Sequence, residues 1–98
     1  MEPSDPAFKN NQENALYLSP ARYVIWIFGG VHATARAIQR SPSSVVRWKT
    51  PVSKRGCGGR IPSTVQYLIL EIARVRKLDI RPEDLLAGRH VPKSEIGE

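Results

Sequence analysis

Residues 29–49, GGVHATARAIQRSPSSVVRWK, decide the fold. They read as two short helices joined by a tight turn. Gly29-Gly30 interrupts whatever precedes it and permits a sharp change of direction. Val31, Ala35 and Ile38 then fall on one face of a helix, at spacings of four and three. Ala35 is small enough for a second helix to cross close by. Gln39 and Arg40 bridge to Ser41, a favoured N-cap because its side-chain oxygen accepts from an otherwise unpaired backbone N–H. Pro42 suits the first helical position, where no N–H partner exists anyway. Val45 and Trp48 share a buried face, which turns Ser43, Ser44 and Arg47 toward solvent or a partner.

Helix, short turn, capped helix is the helix-turn-helix signature, in which the second helix enters the DNA major groove. The stretch resembles the helix-turn-helix of the phage Cro/CI-type repressors and of the related YdaS-like antitoxins. Those proteins commonly read GG, then A-R-A-(I/L), a turn, and S-x-x-(A/S)-V-x-x-W. Here Gly29, Gly30, Ala35, Arg36, Ala37, Ile38, Ser41, Val45 and Trp48 stand in those places. The likeness runs on through Gly59-Arg60-Ile61-Pro62 to about Leu86. In two positions the chain departs from the pattern. The family usually places glycine where this chain has Gln39, and an apolar residue where it has Arg40. The resemblance implies an all-α, lambda-repressor-like domain that binds double-stranded DNA as a homodimer and regulates transcription. It also implies a cytoplasmic setting, in a bacterial or phage-infected cell. The antitoxin branch implies a toxin as a possible protein partner.

The charge distribution points the same way. The chain of 98 residues is one domain with a net charge of +6. Arg22 to Lys77 holds eleven Lys/Arg against one acid, Glu71, a balance of +10. The segments before Pro20 and after Arg89 balance at −3. A basic domain between acidic ends attracts phosphate polyanions, although a charge excess alone is equally a soluble face. The single cysteine, Cys57, rules out an internal disulfide and fits a reducing compartment. No apolar run approaches the roughly 20 residues that span a membrane. The polar, acidic N-terminus does not read as a secretory signal.

Taken in order, residues 1–18 read as a tail, with Ala15-Leu16-Tyr17-Leu18 apolar enough to dock on something. Residues 19–88 form the domain, with five short helices expected. The first runs from Pro20 to Phe28, behind the cap Ser19, with Val24, Ile27 and Phe28 inward and Tyr23 and Trp26 outside the stripe. The second and third follow from Val31 and from Pro42. Residues 50–61, TPVSKRGCGGRI, form a basic, glycine-rich connector that Pro51 separates from the third helix. It is longer than the family's usual link, and its glycines make it pliable; whether it orders only on DNA is left open by the sequence. The fourth helix, about Pro62 to Leu78, buries Val65, Leu68, Ile69, Ile72 and Val75. A fifth starts at Pro82 and ends at Gly88. Residues 89–98 read as a disordered tail.

Candidate site residues follow from this frame. Arg47 is the strongest base reader, because a guanidinium can take both O6 and N7 of guanine; its bland alternative is a phosphate contact. Ser43 and Ser44 specify weakly, and Val46 suits a thymine methyl. Thr34, Arg36, Lys49, Lys54, Arg55 and Arg60 are placed on the phosphate backbone. Trp48 reads as core and His32 as exposed. Trp26, Tyr67 and Leu70 form an apolar surplus, explained by a dimer or partner contact, by the tail or the fourth helix covering Trp26, or by core or short-helix packing of Tyr67 and Leu70. No catalytic set, metal-ligand spacing or cofactor motif is present, so neither an enzyme nor a cofactor is expected. The competing class is an antitoxin-like or scaffold protein acting through protein–protein contacts. RNA binding has less support, because no strand is evident to carry exposed aromatics.

Overall fold

Local punctuation sets the helix boundaries. In the computed structural model, which describes residues 15–96, Ser19 Oγ accepts from Arg22 N at 3.3 Å and Pro20 opens helix α1, Pro20–Phe28. Gly29 (φ 99°) and Gly30 (φ 120°) turn the chain through backbone conformations closed to most side chains. Helix α2, Val31–Ile38, ends at Gln39, which adopts the left-handed conformation (φ 58°, ψ 48°) that a glycine would take without a Cβ penalty. Ser41 Oγ accepts from Ser44 N at 3.2 Å and Pro42 begins helix α3, Pro42–Lys49. A single 3-10 turn, Val52–Lys54, precedes helix α4, Ser63–Arg76. Helix α5 spans Pro82–Ala87 and helix α6 spans Lys93–Ile96.

The molecule is mostly helical, as expected, but not wholly so. Strand β1, Ala15–Leu18, pairs antiparallel with strand β2, Arg89–Pro92, in the register Ala15 to Pro92 and Leu18 to Arg89. The described ends of both expected tails are therefore structured and belong to the domain. Leu18 and Val91 supply the apolar anchors, both buried in the common core. The rest of the expected N-terminal tail, residues 1–14, and residues 97–98 lie outside the described residues.

Helix α1 is the axis of the core. It touches β1, α2, α3 and α5, and such a helix must be apolar on more than one side. Tyr23, expected outside the stripe, is fully buried together with Ala21 and Val24. A buried phenol needs a partner, and the Tyr23 hydroxyl donates to the Asp79 carbonyl at 2.6 Å. Val45 and Trp48 of α3 and Ile69 and Ala73 of α4 complete the centre. Val75, expected inside, is 66% exposed, because it lies in the last turn of α4 beyond the packed face.

The C-terminal strand is held by ions as well as by the sheet. The Arg89 guanidinium donates to Asp84 (2.7 and 3.0 Å) and to Asp79 (2.8 and 3.3 Å). It also lies over the Tyr23 ring, 4.7 Å from the centroid. Asp84 is only 3% exposed, and its second task is to accept from Arg81 N at 2.8 Å, which caps α5. Arg89's hydrogen bonds to Asp79 and then Asp84 hold its guanidinium well above the ordinary basic range. The Asp79 carboxyl is held below the usual carboxylate value by the same arginine. Burial pushes the Tyr23 phenol up.

Candidate nucleic-acid interface

Helix α3 has two faces with opposite tasks. Val45 and Trp48 are buried and fix it against α1 and α2. Ser43, Val46 and Arg47 are exposed on the other side, and Ser44 and Lys49 are exposed on the flanks, Lys49 beside Arg22 and Trp26 of α1. The serines are gathered at the cap, with the Ser43 and Ser44 hydroxyls 3.2 and 3.0 Å from Ser41 Oγ. Their freedom to meet a base edge is thereby reduced, whereas the Arg47 side chain makes no hydrogen bond to another described residue. Trp48, packed in the core, is not available for stacking on a base.

Of the six residues assigned to phosphates, five lie on the surface. Arg36, Lys49, Lys54, Arg55 and Arg60 are all exposed. Thr34 is not: it is fully buried, and its hydroxyl donates to the Gly30 carbonyl at 2.7 Å. This i−4 bond satisfies the only polar group that burial would orphan, so Thr34 is a packing residue of α2 and offers nothing to a phosphate. His32 is exposed, as expected.

Arg40 reads in the sequence as a turn residue, and the structure makes it a surface cation as well. It is exposed and lines a depression of about 200 Å³ with Ser44, Arg47, Cys57 and Thr64. The signal for it is its position one residue before the cap of α3. Thr50 is a second residue that the sequence does not single out. Its hydroxyl donates to the Val46 carbonyl at 2.9 Å and closes the C-terminal turn of α3.

The connector is ordered, contrary to the pliable segment expected. Cys57 N donates to Arg47 O at 2.9 Å, Gly58 N to Thr50 O at 2.8 Å, and Gly59 N to Trp48 O at 2.7 Å. Ala21 N donates to Gly59 O at 2.9 Å and ties the segment to α1. Its glycines give close backbone approach rather than looseness. The Cys57 thiol is half-buried and unpaired.

Charge separates this surface from the remainder. From Ala15 to Leu70 the chain contains no Asp or Glu. Among the described residues, none of Arg36, Arg40, Arg47, Lys49, Lys54, Arg55 and Arg60 forms an ion pair. Arg40, Arg47, Lys54 and Arg55 border two adjoining depressions on this acid-free stretch, a surface suited to a polyanion.

The apolar surplus is divided. Trp26 is half-buried, its ring 5.9 Å from that of Tyr23, and it lines depressions with Val91, Pro92 and Ile96. The C-terminal segment thus borders it. Leu70 is half-buried, and Tyr67 stands 75% exposed on α4. Among the described residues no group of three or more His, Cys, Asp or Glu is placed to hold a metal ion. No described helix is long and apolar enough to cross a membrane.

Compared with protein-family models, with curated proteins and with solved structures, the chain matches none.

Proposed function

We propose that this protein is a sequence-specific DNA-binding transcriptional regulator of the phage-repressor kind. Helices α2 and α3 act as a helix-turn-helix, and α3 enters the major groove. One observation carries this reading: the buried pair Val45 and Trp48 holds α3 rigidly while Val46 and Arg47 stand exposed among cations that form no ion pair with another described residue. A reading helix needs that combination, because direct readout requires a side chain held in a fixed place and phosphate attraction requires cations not already neutralised.

In this mechanism Arg36, Lys49, Lys54, Arg55 and Arg60, with Arg40 added, position the domain on phosphates. Arg47 reads a guanine, and Val46 contacts a thymine methyl. Two copies bind half-sites about one helical turn, roughly 34–36 Å, apart. The bound dimer occludes promoter DNA.

The experiment is selection of bound duplexes from a random library at about 150 mM salt, where the purely electrostatic contribution is reduced. The expected product is a short inverted repeat. Arg47→Ala should cost about 1–3 kcal/mol and relax preference at one base pair of each half-site. Recovery of random sequence would sink the sequence-specific reading. An equal loss on all sequences would reduce Arg47 to a phosphate contact.

The 75% exposure of Tyr67 favours a second reading, an antitoxin-like or scaffold protein. Tyr67→Ala separates the two. The regulator still enriches its half-site in this variant, even where Tyr67 is a dimer contact, whereas the scaffold enriches no duplex and loses its protein partner.

A further inference from the structure

The segment after α3 is built as a prong. Pro51 O accepts from both Lys54 N and Gly56 N at 2.9 Å, and Val52 O accepts from Arg55 N at 2.9 Å. Amides returning from the turn then take carbonyls at the end of α3, groups that a helix C-terminus leaves unpaired. A Cβ at Gly56 would overlap the Thr50 carbonyl, so only glycine passes there. Val52, 71% exposed, stands on the turn, with Lys54 and Arg55 exposed beside it. Between prong and helix lies an open cleft of about 420 Å³, lined by Ser43, Val46, Arg47, Thr50, Lys54 and Arg55.

We infer that this cleft seats one sugar–phosphate strand of duplex DNA, with α3 in the major groove and the prong in the minor groove across that strand. The inference rests on the DNA-binding reading above and adds a second groove contact to it. Cations stand on both walls: Lys54 and Arg55 on the prong pair with the phosphates of the strand, while Arg47 on the helix reaches past it to the base edge. The sugar–phosphate strand is what divides the two grooves, so elements on either side of it enter different ones. An exposed valine flanked by cations matches what minor-groove binding uses, an apolar side chain beside Lys or Arg. The backbone bonds fix the prong before binding, so little ordering entropy opposes it.

The test uses a duplex recovered by the selection and three variants. Lys54→Ala/Arg55→Ala should weaken binding on every sequence, and the slope of log affinity against log salt should fall by about 2, near 0.9 for each phosphate no longer neutralised. Gly56→Ala keeps every charge. It should weaken binding by about tenfold, an effect comparable to that of removing the cations, with the thermal melt read alongside to show that the helices persist. The groove assignment is read with inosine·cytosine in place of guanine·cytosine beside the α3 footprint, which removes only the minor-groove amino group. Wild type should change affinity on that duplex, and Val52→Ala/Lys54→Ala/Arg55→Ala should not.

If wild type binds no duplex, the parent reading fails and the cleft with it. If wild type binds while the double variant keeps its salt slope, the cleft alone fails. Indifference of wild type to inosine, or equal competition by single-stranded DNA, overturns the two-groove arrangement.

Discussion

Between Ala15 and Leu70 the chain carries arginines and lysines with no Asp or Glu among them; from Glu71 onward, Glu71, Asp79 and Asp84 each hold an arginine. The first region is fastened by apolar burial and backbone bonds, through Val45, Trp48 and the amides of Cys57 to Gly59. The second adds a clasp of ions, Arg89 between Asp79 and Asp84. A fold held without its charges leaves those charges for a partner. One held by them commits Arg74, Arg81 and Arg89 to its own acids.

Truncation of Trp48 is the severest way to break that contrast. Trp48→Ala should cost about 3–5 kcal/mol, the range for removing a buried aromatic. For a domain of marginal stability this is most of the total, and a thermal melt should lose its cooperative transition at physiological temperature. Retention of a sharp melt would mean that α3 is not anchored as described.

Asp84→Ala comes next. It leaves Arg89 half-buried with one partner fewer and removes the acceptor for Arg81 N, at an expected cost of about 3 kcal/mol, the low end for a broken buried pair. Asp84→Asn should recover part of that, since an amide oxygen still caps α5. On the acid-free side, Lys49→Ala should change stability by no more than about 0.5 kcal/mol, as for a surface residue outside any network. Urea titrations of the three variants give the ordering directly. Equal effects at Asp84 and Lys49 would erase the distinction between the regions.

Acidification gives the smallest and sharpest contrast. Folding lowers the Asp79 carboxyl through its hydrogen bonds to Arg89. A group lowered in this way stabilises the fold above its unfolded value and loses that contribution as pH falls toward the folded one. Below about pH 4, the ordinary carboxylate value, the clasp should therefore weaken. Exchange of the hydrogen-bonded amides of the paired strands, Ala15–Leu18 with Arg89–Pro92, should quicken there before exchange at Ala35 and Val45, which have no carboxylate nearby in sequence. Simultaneous loss of protection would show the clasp to be inessential to the sheet.

The contrast also marks what the sequence can disclose. Helix boundaries are legible because their signals are local: Ser-Pro at Ser19 and Ser41, glycine at Gly29, Gly30 and Gly88. The outward face of α3 follows from the spacing of Val45 and Trp48. Thr34 reads as a phosphate contact although its spacing from Val31 and Ile38 puts it on the inward stripe; its polar type outweighs its phase. Tyr23 misleads the same way, since a phenol is buried only where a carbonyl waits, here that of Asp79, far along the chain. The prong looks pliable because its glycines are visible in the sequence and its hydrogen bonds are not. The sheet is hidden because each strand has four residues and finds its partner at the other end of the domain.

That last pairing has a mechanical consequence. Ala15 meets Pro92 at one end of the sheet, and Leu18 meets Arg89 at the other. A pull applied at residues 15 and 92 loads the pairs one after another, so the strands unzip instead of shearing together. The pair reached last, Leu18 with Arg89, is the one backed by two carboxylates and the Tyr23 ring. The zip therefore starts at its weak end and meets its strongest tooth where the helical body begins.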